Sequence, residues 1–236
     1  MDPNAAFRIA IRPLTSADIE QCVVLEGLGF PPEERCSLEK FQYRIGACPE
    51  LCLGLFYREF NPPYEHGNRL NRQFAKIDGS ATEVDEEDDN LDSCDLPGQS
   101  TIKSEQLIGH IIATKMGSDL VTEEAMMMPQ NGSNVSESGK TLGHVETSRV
   151  IGIHSLVVHP DFRGSGYATW LYVDYMHKIS QQQVADKIAL LAKESLLKLY
   201  VDKLHFRDLG ISKCTFGGVE WHDLVADVQG GDEDYE

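Results

Sequence analysis

The sequence predicts an α/β domain in which strands alternate with amphipathic helices, and three observations carry that expectation. An apolar, β-branched run from Ile151 to Val158 stops at His159-Pro160, where proline ends ladder pairing. A glycine-rich turn follows, and from near Gly166 the residues Ala168, Leu171, Val173, Tyr175, Met176 and Ile179 recur at helical spacing, which buries one face. With 236 residues, 41% of them hydrophobic, the chain is long enough for one substantial core, so 1–236 is expected to be a single domain.

The other elements follow in order. Ala6 to Arg12 reads as a first strand, and Thr15-Ser16-Ala17-Asp18 has the pattern of a capping box opening a helix through Leu25. Ser37 is expected to cap a second helix ending near Gly46, and Leu51 to Phe56 and Ile108 to Thr114 read as a strand pair. Between that pair, residues 61–106 include Glu83, Asp85, Glu86, Glu87, Asp88 and Asp89 with almost no apolar side chains, the composition of a disordered acidic insertion. A polar loop at 129–148, rich in Gly, Ser and Asn, leads into the strand at 151. Further on, Lys187 to Ala192 reads as a strand, Ser195 to Leu204 as a helix, and Ser212 to Phe216 and Leu224 to Val228 as closing strands. Residues 230–236 form an acidic tail.

Composition narrows the function classes. No apolar run reaches the ~20 residues of a membrane span, and no export signal opens the chain, so a cytoplasmic enzyme is expected. The six cysteines lack metal spacing and are expected to be reduced thiols, with no metal bound. A net charge of -17 without a basic stripe disfavours nucleic acid as a partner. It favours cations, polyamines included, over a range that salt limits to ~8 to 10 Å. Nothing in the sequence identifies a protein partner.

Arg163-Gly164-Ser165-Gly166-Tyr167-Ala168 places two glycines where backbone amides can approach an anion at a positive helix end, and pyrophosphate is the natural guest. A Walker loop would need Gly-Lys-Ser/Thr, and a dinucleotide fingerprint a third glycine and a later acidic residue. The pattern here, Arg-x-x-Gly-x-Ala, resembles the acyl-CoA signature of the GNAT N-acetyltransferase superfamily. The resemblance extends over Ile11 to Ile19, Gly29 to Arg35, Cys48 to Phe56 with Leu107 to Ile112, and the run from Gly152 to Asp223. It narrows to the arylalkylamine and polyamine N-acetyltransferase branch, particularly its fungal members. What it implies is a mixed central β-sheet flanked by helices and splayed at the central strand, with acyl-CoA in the split. The cofactor would lie on Leu156, Val157 and Val158 through its pantetheine arm, and on Arg163, Gly164, Ser165, Gly166, Tyr167, Ala168 and Thr169 through its pyrophosphate. Gly152 offers a physical reason for the split, since a glycine inside a strand weakens pairing and admits a ligand backbone. The alternative is an incidental bulge in a core strand.

Amine acetylation requires a base. An alkylammonium with a pKa of ~10.4 is deprotonated at neutral pH only at a cost of roughly 4 to 5 kcal/mol. His154 is the candidate: period-two alternation points it to the side of Leu156 and Val158, and imidazole titrates near working pH. The branch carries histidines at two positions of this strand as a proton relay. His154 falls on one and Gly152 on the other, which leaves water or a carboxylate to complete the relay. The alternative is a buried structural histidine. Tyr200 sits where the family carries the general acid that protonates the coenzyme A thiolate. The family continues Tyr-x-x-Φ-Gly-Phe, whereas this chain runs from Tyr200 to Phe206 with one residue more and His205 in the glycine's place, so a packing tyrosine is the alternative.

For the acceptor, Phe30 and Pro31 supply an aromatic side chain and a rigid turn, and Glu33 and Glu34 suit a second ammonium of a polyamine. Cys48, Pro49 and Trp221 join the amine pocket by resemblance. The plainer readings are a helix-end staple for Phe30, a solvated first turn for Glu33 and Glu34, and core for Trp221. No cysteine stands in a nucleophile setting. The expected function is acetyl-CoA-dependent N-acetylation of small primary amines by direct transfer in a ternary complex. Acetylation of a protein lysine or N-terminus, and an inactive acyl-CoA-binding module, are the alternatives.

Overall fold

The computed structural model describes residues 7–60, 102–130 and 132–228. The acidic tail at 230–236 and residues 61–101 of the expected insertion lie outside the described residues. Seven strands form one mixed sheet in the order β1-β2-β3-β4-β5-β7-β6. They are β1 (Phe7–Pro13), β2 (Leu53–Phe60), β3 (Ile102–Lys115), β4 (Val150–Val158), β5 (Lys187–Ala192), β6 (Arg207–Ile211) and β7 (His222–Asp227). β4 runs antiparallel to β3 and parallel to β5, and β5, β7 and β6 follow antiparallel. The helices are α1 (Ile19–Gly29), α2 (Leu38–Ala47), a short α3 (Glu123–Met126), α4 (Tyr167–Gln182) and α5 (Leu197–Asp202). The mixed α/β architecture matches the expectation.

Local chemistry explains the helix starts. Asp18, buried before α1, accepts from the Thr15 amide at 2.8 Å and hydroxyl at 2.9 Å, and takes the Arg12 guanidinium in a two-point pair at 2.8 Å. Burial alone would raise its pKa, yet these donors hold it below the ordinary value. Ser37 caps α2 by accepting from the Lys40 amide at 3.3 Å. α4 opens at Gly166, whose φ of 80° suits glycine.

The chain divides into two compact units, 1–10 with 57–106 and 11–56 with 107–236. In the first, the described residues are strand ends, tied by an Arg58–Glu105 ion pair and by Ser104 donating to Glu59 at 3.1 Å. The second unit holds the helices and the remainder of the sheet. One core cluster there joins Leu25, Phe41, Phe56, Ile112 and Val157, and another joins Met116, Val121, Met126, Ala189 and Val225. Cys22, Cys36, Cys48, Cys52 and Cys214 are buried free thiols, and burial pushes Cys36 and Cys214 up to about 11.

Three expectations are corrected. Residues 102–106, assigned to the insertion, belong to β3. The strand expected at Ser212 to Phe216 is instead Arg207–Ile211, because Gly217 and Gly218 adopt φ of 70° and bend the chain into a 3-10 turn at Phe216–Gly218. Gly152 does not cause the split, since it lies inside the paired stretch, opposite Thr114 on one side and Ala189 on the other. A Cβ at 152 would stand 2.2 Å from Met116 Sδ, so glycine is there to admit that thioether. The split begins just beyond. β4 pairs with β5 only from Val150 to Ile153. The register with β3 passes from Ala113↔Ile153 to Ile112↔Ser155, which makes His154 the extra residue of a β-bulge.

α1 ends flush against β4, where a Cβ on Gly29 would stand 2.2 Å from Val157 Cγ2. Val157 is stiff at χ1 and cannot turn aside. Gly29→Ala is therefore expected to destabilise the fold by roughly 1 to 3 kcal/mol in urea unfolding, and Val157→Ala in the same chain to restore part of that loss.

Candidate active site

Where β4 leaves β5, a cavity of about 130 Å³ opens. Its walls include Ile153, His154 and Leu156 from β4, Leu190 to Ala192 from β5, Lys193 just beyond it, and Tyr200 from α5. Phe30, Glu34, Met126, Phe216 and Trp221 close it. The fold thus brings His154, Tyr200, Phe30, Trp221 and Leu156 together from distant parts of the chain.

The His154 ring is held at both nitrogens. Nε2 lies 2.7 Å from Thr114 Oγ1, and Nδ1 lies 3.2 Å from Met126 Sδ. Burial first, and then the positive charges of Arg44 and Lys40, hold its pKa well below the ordinary 6.5. The imidazole is therefore neutral at neutral pH, with one ring nitrogen free to accept, and the same burial makes it a weaker base than a solvated histidine. With the ring proton on Nε2 and donated to Thr114, Nδ1 presents its lone pair beside a flexible thioether. Behind Gly152, where the resemblance would place a second histidine, stands Met116, and the group beside His154 Nε2 is a threonine hydroxyl rather than a carboxylate.

Tyr200 is buried, with its ring against Phe206 at 5.7 Å in a T-shaped arrangement. Burial pushes its phenol up to about 12, so it stays protonated. The extra residue between Tyr200 and Phe206 is absorbed after the helix, where His205 takes the left-handed φ of 58° that a glycine would adopt and the Phe206 amide donates to the Tyr200 carbonyl at 2.9 Å. Tyr200 consequently faces the cavity that His154 faces.

The glycine-rich turn has the form its sequence predicts. Gly164 and Gly166 have φ of 78° and 80°, and a Cβ at either would meet no atom, so the constraint is conformational rather than steric. The amides of Tyr167, Ala168 and Thr169 open α4 without intrahelical acceptors. No acidic residue occupies that first turn, although the chain as a whole is strongly acidic. Such an end accepts an anion. Arg163 donates through Nε to the Val158 carbonyl at 2.9 Å, so that carbonyl is engaged within the protein. Val157 and Val158 are buried, and Leu156 is the member of the three that reaches the cavity.

The expected acceptor residues separate. Cys48 is fully buried, and its thiol donates to the carbonyls of Arg44 at 3.3 Å and Ala113 at 3.4 Å. Pro49 lines another groove with Leu14, Ile19 and Ile45. Both therefore lie off the cavity, a correction of their assignment to the amine pocket. Pro31 does not line it either, but precedes the 3-10 turn Pro32–Glu34 that places Glu34 there, its carbonyl accepting from the Glu34 amide at 3.0 Å.

Sequence reasoning missed Thr114, Met126, Lys193 and Phe216. It also missed a buried network behind β4. Ser155 donates to Glu26 Oε2 at 2.7 Å, His110 Nε2 lies 3.2 Å from the same oxygen and 3.0 Å from Ser155 Oγ, and the Cys36 amide donates to Oε1 at 3.0 Å. Burial raises the Glu26 pKa, but these hydrogen bonds bring it below its ordinary value. Both His110 contacts fall on one nitrogen, whereas a Ser-His-carboxylate relay uses two, so the cluster pins α1 to β4 rather than activating Ser155. The polar Gly109-His110 interruption of an apolar strand was the visible signal.

Residues 101–227, more than half of the chain, match the acetyltransferase (GNAT) domain model, and the chain belongs to that family. The fold is similar to the loading GNATL domain of CurA from Lyngbya majuscula, at 11% identity and TM-score 0.56 over 94% of this chain and 98% of that one. It is also similar to the ribosomal-protein-S18-alanine N-acetyltransferase from Escherichia coli, at 12% identity and TM-score 0.51, covering 97% and 100%. PaiA N-acetyltransferase from Thermoplasma acidophilum in complex with coenzyme A gives 12% and 0.50, covering 93% and 99%. No curated protein matches the sequence. Among the described residues, no group of His, Cys, Asp and Glu is placed to hold a metal, and no helix is long and apolar enough to cross a membrane.

The His154 environment has a consequence for stability. A histidine whose folded pKa is depressed contributes stability that is fully present above its unfolded value of 6.5 and is lost as pH falls towards the folded value. Urea unfolding is expected to show His154→Gln less stable than the wild type at about pH 7.5, with the gap narrowing at about pH 5. A constant gap would mean that the ring is not buried in its neutral form.

Proposed function

We propose that the protein transfers the acetyl group of acetyl-CoA directly to a small primary amine in a ternary complex. The observation that carries this reading is the meeting of a neutral imidazole and a protonated phenol in one cavity, at the point where the edge of β4 is free of β5. The four sequence blocks support placement in the arylalkylamine and polyamine branch, and the aromatic walls Phe30, Phe216 and Trp221 suit an alkylamine chain.

The residues present fit the co-substrate. Two left-handed glycines and the free amides of α4 suit a pyrophosphate, and the β4 edge beyond Ile153 suits an extended amide-bearing arm. Acetyl-CoA supplies an acetyl thioester with a thiol leaving group. His154 accepts the proton of the incoming ammonium at Nδ1, while Thr114 fixes the ring. Tyr200, kept protonated by burial, donates a hydrogen bond towards the departing sulfur. A phenol with a pKa of about 12 is too weak an acid to give its proton outright to a thiolate of pKa ~8.5. Two protons leave the nitrogen between ammonium and amide: His154 takes one and passes it to solvent, and the sulfur ends with the other, so the products are the amide, the coenzyme A thiol and one proton.

Release of free coenzyme A from acetyl-CoA, measured across alkylamines, arylalkylamines, a lysine peptide and an N-terminal peptide, tests this. Small amines are expected to be the better acceptors. A peptide that outperforms them would move the reading to protein acetylation, and tight coenzyme A binding without release would leave a binding module. His154→Ala is expected to lower kcat/KM by roughly 10²- to 10⁴-fold at neutral pH and by less at alkaline pH, where free amine is plentiful. Tyr200→Phe is expected to lower kcat by roughly 10- to 100-fold with little change in the KM for acetyl-CoA.

A further inference from the structure

One carboxylate in the cavity wall has incomplete bonding. Glu34 closes the turn Pro32–Glu34, and its side chain is 3% exposed, whereas Glu33 points to solvent. Oε1 accepts from Lys193 Nζ at 2.6 Å, while Oε2 is buried without a hydrogen-bond partner. A buried carboxylate oxygen lacking a donor is unfavourable, and a cationic donor satisfies it best.

The carboxylate is held rather than free to swing. Pro31 and Pro32 restrict the backbone that leads to it. Gly217, at φ of 70°, packs against it so closely that a Cβ would stand 3.1 Å from Glu34 Cγ and 3.0 Å from the Glu33 carbonyl oxygen. The nearby cation cannot serve both oxygens alone: Lys193 is 37% exposed and reaches across the Trp221 ring, 5.7 Å from its centroid. Arg35, the next residue, is spent on the carbonyls of Phe30 and Gly27 at 2.7 and 2.9 Å.

We infer that Glu34 Oε2 anchors a second, non-reacting ammonium of the acceptor, so that the preferred acceptors are short alkyl diamines rather than arylalkyl monoamines. This rests on the reading of the cavity as the acceptor site. The assignment of nitrogens follows from acid–base chemistry. The reacting nitrogen must become a free base beside His154, and a carboxylate would hold it as an ammonium, so Glu34 serves the other nitrogen. Lys193, a primary alkylammonium on the same carboxylate, displays the contact that this group accepts. The aromatic rings around it suit the methylenes between the two nitrogens.

The test compares 1,4-diaminobutane with butylamine, which has the same chain length and one charge fewer. The wild type is expected to favour the diamine in kcat/KM by roughly tenfold or more, and Glu34→Gln to abolish most of that ratio through KM. A ratio near one in the wild type, or one that Glu34→Gln leaves intact, would overturn the inference. Lys193→Met, which leaves the carboxylate to the ligand alone, is expected to sharpen diamine preference and serves if Glu34→Gln fails to fold; an unchanged or weaker preference counts against the anchor. If no amine is acetylated, calorimetric titration with 1,4-diaminobutane still reports on the anchor. Tighter binding by the wild type than by Glu34→Gln, or by Lys193→Met than by the wild type, upholds it, and equal binding by the variant or no binding by the wild type overturns it. Transfer itself is judged separately, by coenzyme A release.

Discussion

The parting of β4 from β5 is the constraint on which the rest of the molecule depends. A strand inside a sheet must satisfy its backbone groups on both sides. β4 has a full partner in β3 along Ile151 to Val158, but shares only Val150 to Ile153 with β5. The bulge at His154 re-aims the chain at that point, and α5 with Trp221 lines what opens between the two strands. The cavity is thus a product of strand pairing that stops early. The position of its histidine follows from the same irregularity.

A strand with one free edge needs support from behind, and the structure supplies it. Ser155, Glu26 and His110 join β4 to α1 and β3 through buried hydrogen bonds, and Gly29 lets α1 close on Val157. Arg44 links two functions. Fully buried on α2, it donates to the Met126 carbonyl at 3.1 Å, which places the thioether that borders His154, and its charge helps to keep that imidazole neutral. A structural cation therefore reinforces what burial already does to the protonation state of His154.

Much of the fold was legible because it depends on local chemistry. The Thr15 and Ser37 caps, the Lys187 to Ala192 strand and the Gly164 and Gly166 turn are each specified by a few neighbouring residues. His154 and Tyr200, singled out as residue types that proton transfer needs, do line one cavity. What escaped was non-local. Thr114 could be joined to His154 only by knowing the β3 register and the bulge that shifts it, and no period in the sequence marks a bulge. Gly152 misled because a strand glycine signals a close approach without saying of what, and the answer was Met116. Cys48 and Pro49 share a sequence neighbourhood with the site, but α2 and the turn after it direct them elsewhere. Ser212 to Phe216 has strand-like composition, which paired glycines in left-handed geometry override.

The five described thiols are all interior, and burial makes the thiolates of Cys22, Cys36 and Cys214 harder to form. Thiol reagents act on thiolates, so all five are shielded by position, and those three by protonation as well. A colorimetric thiol reagent can therefore follow coenzyme A continuously in the presence of the folded protein with little background from them. The same reagent, added during unfolding, would report exposure of the core as a rise in reactive sulfur, giving one optical probe for turnover and for loss of structure.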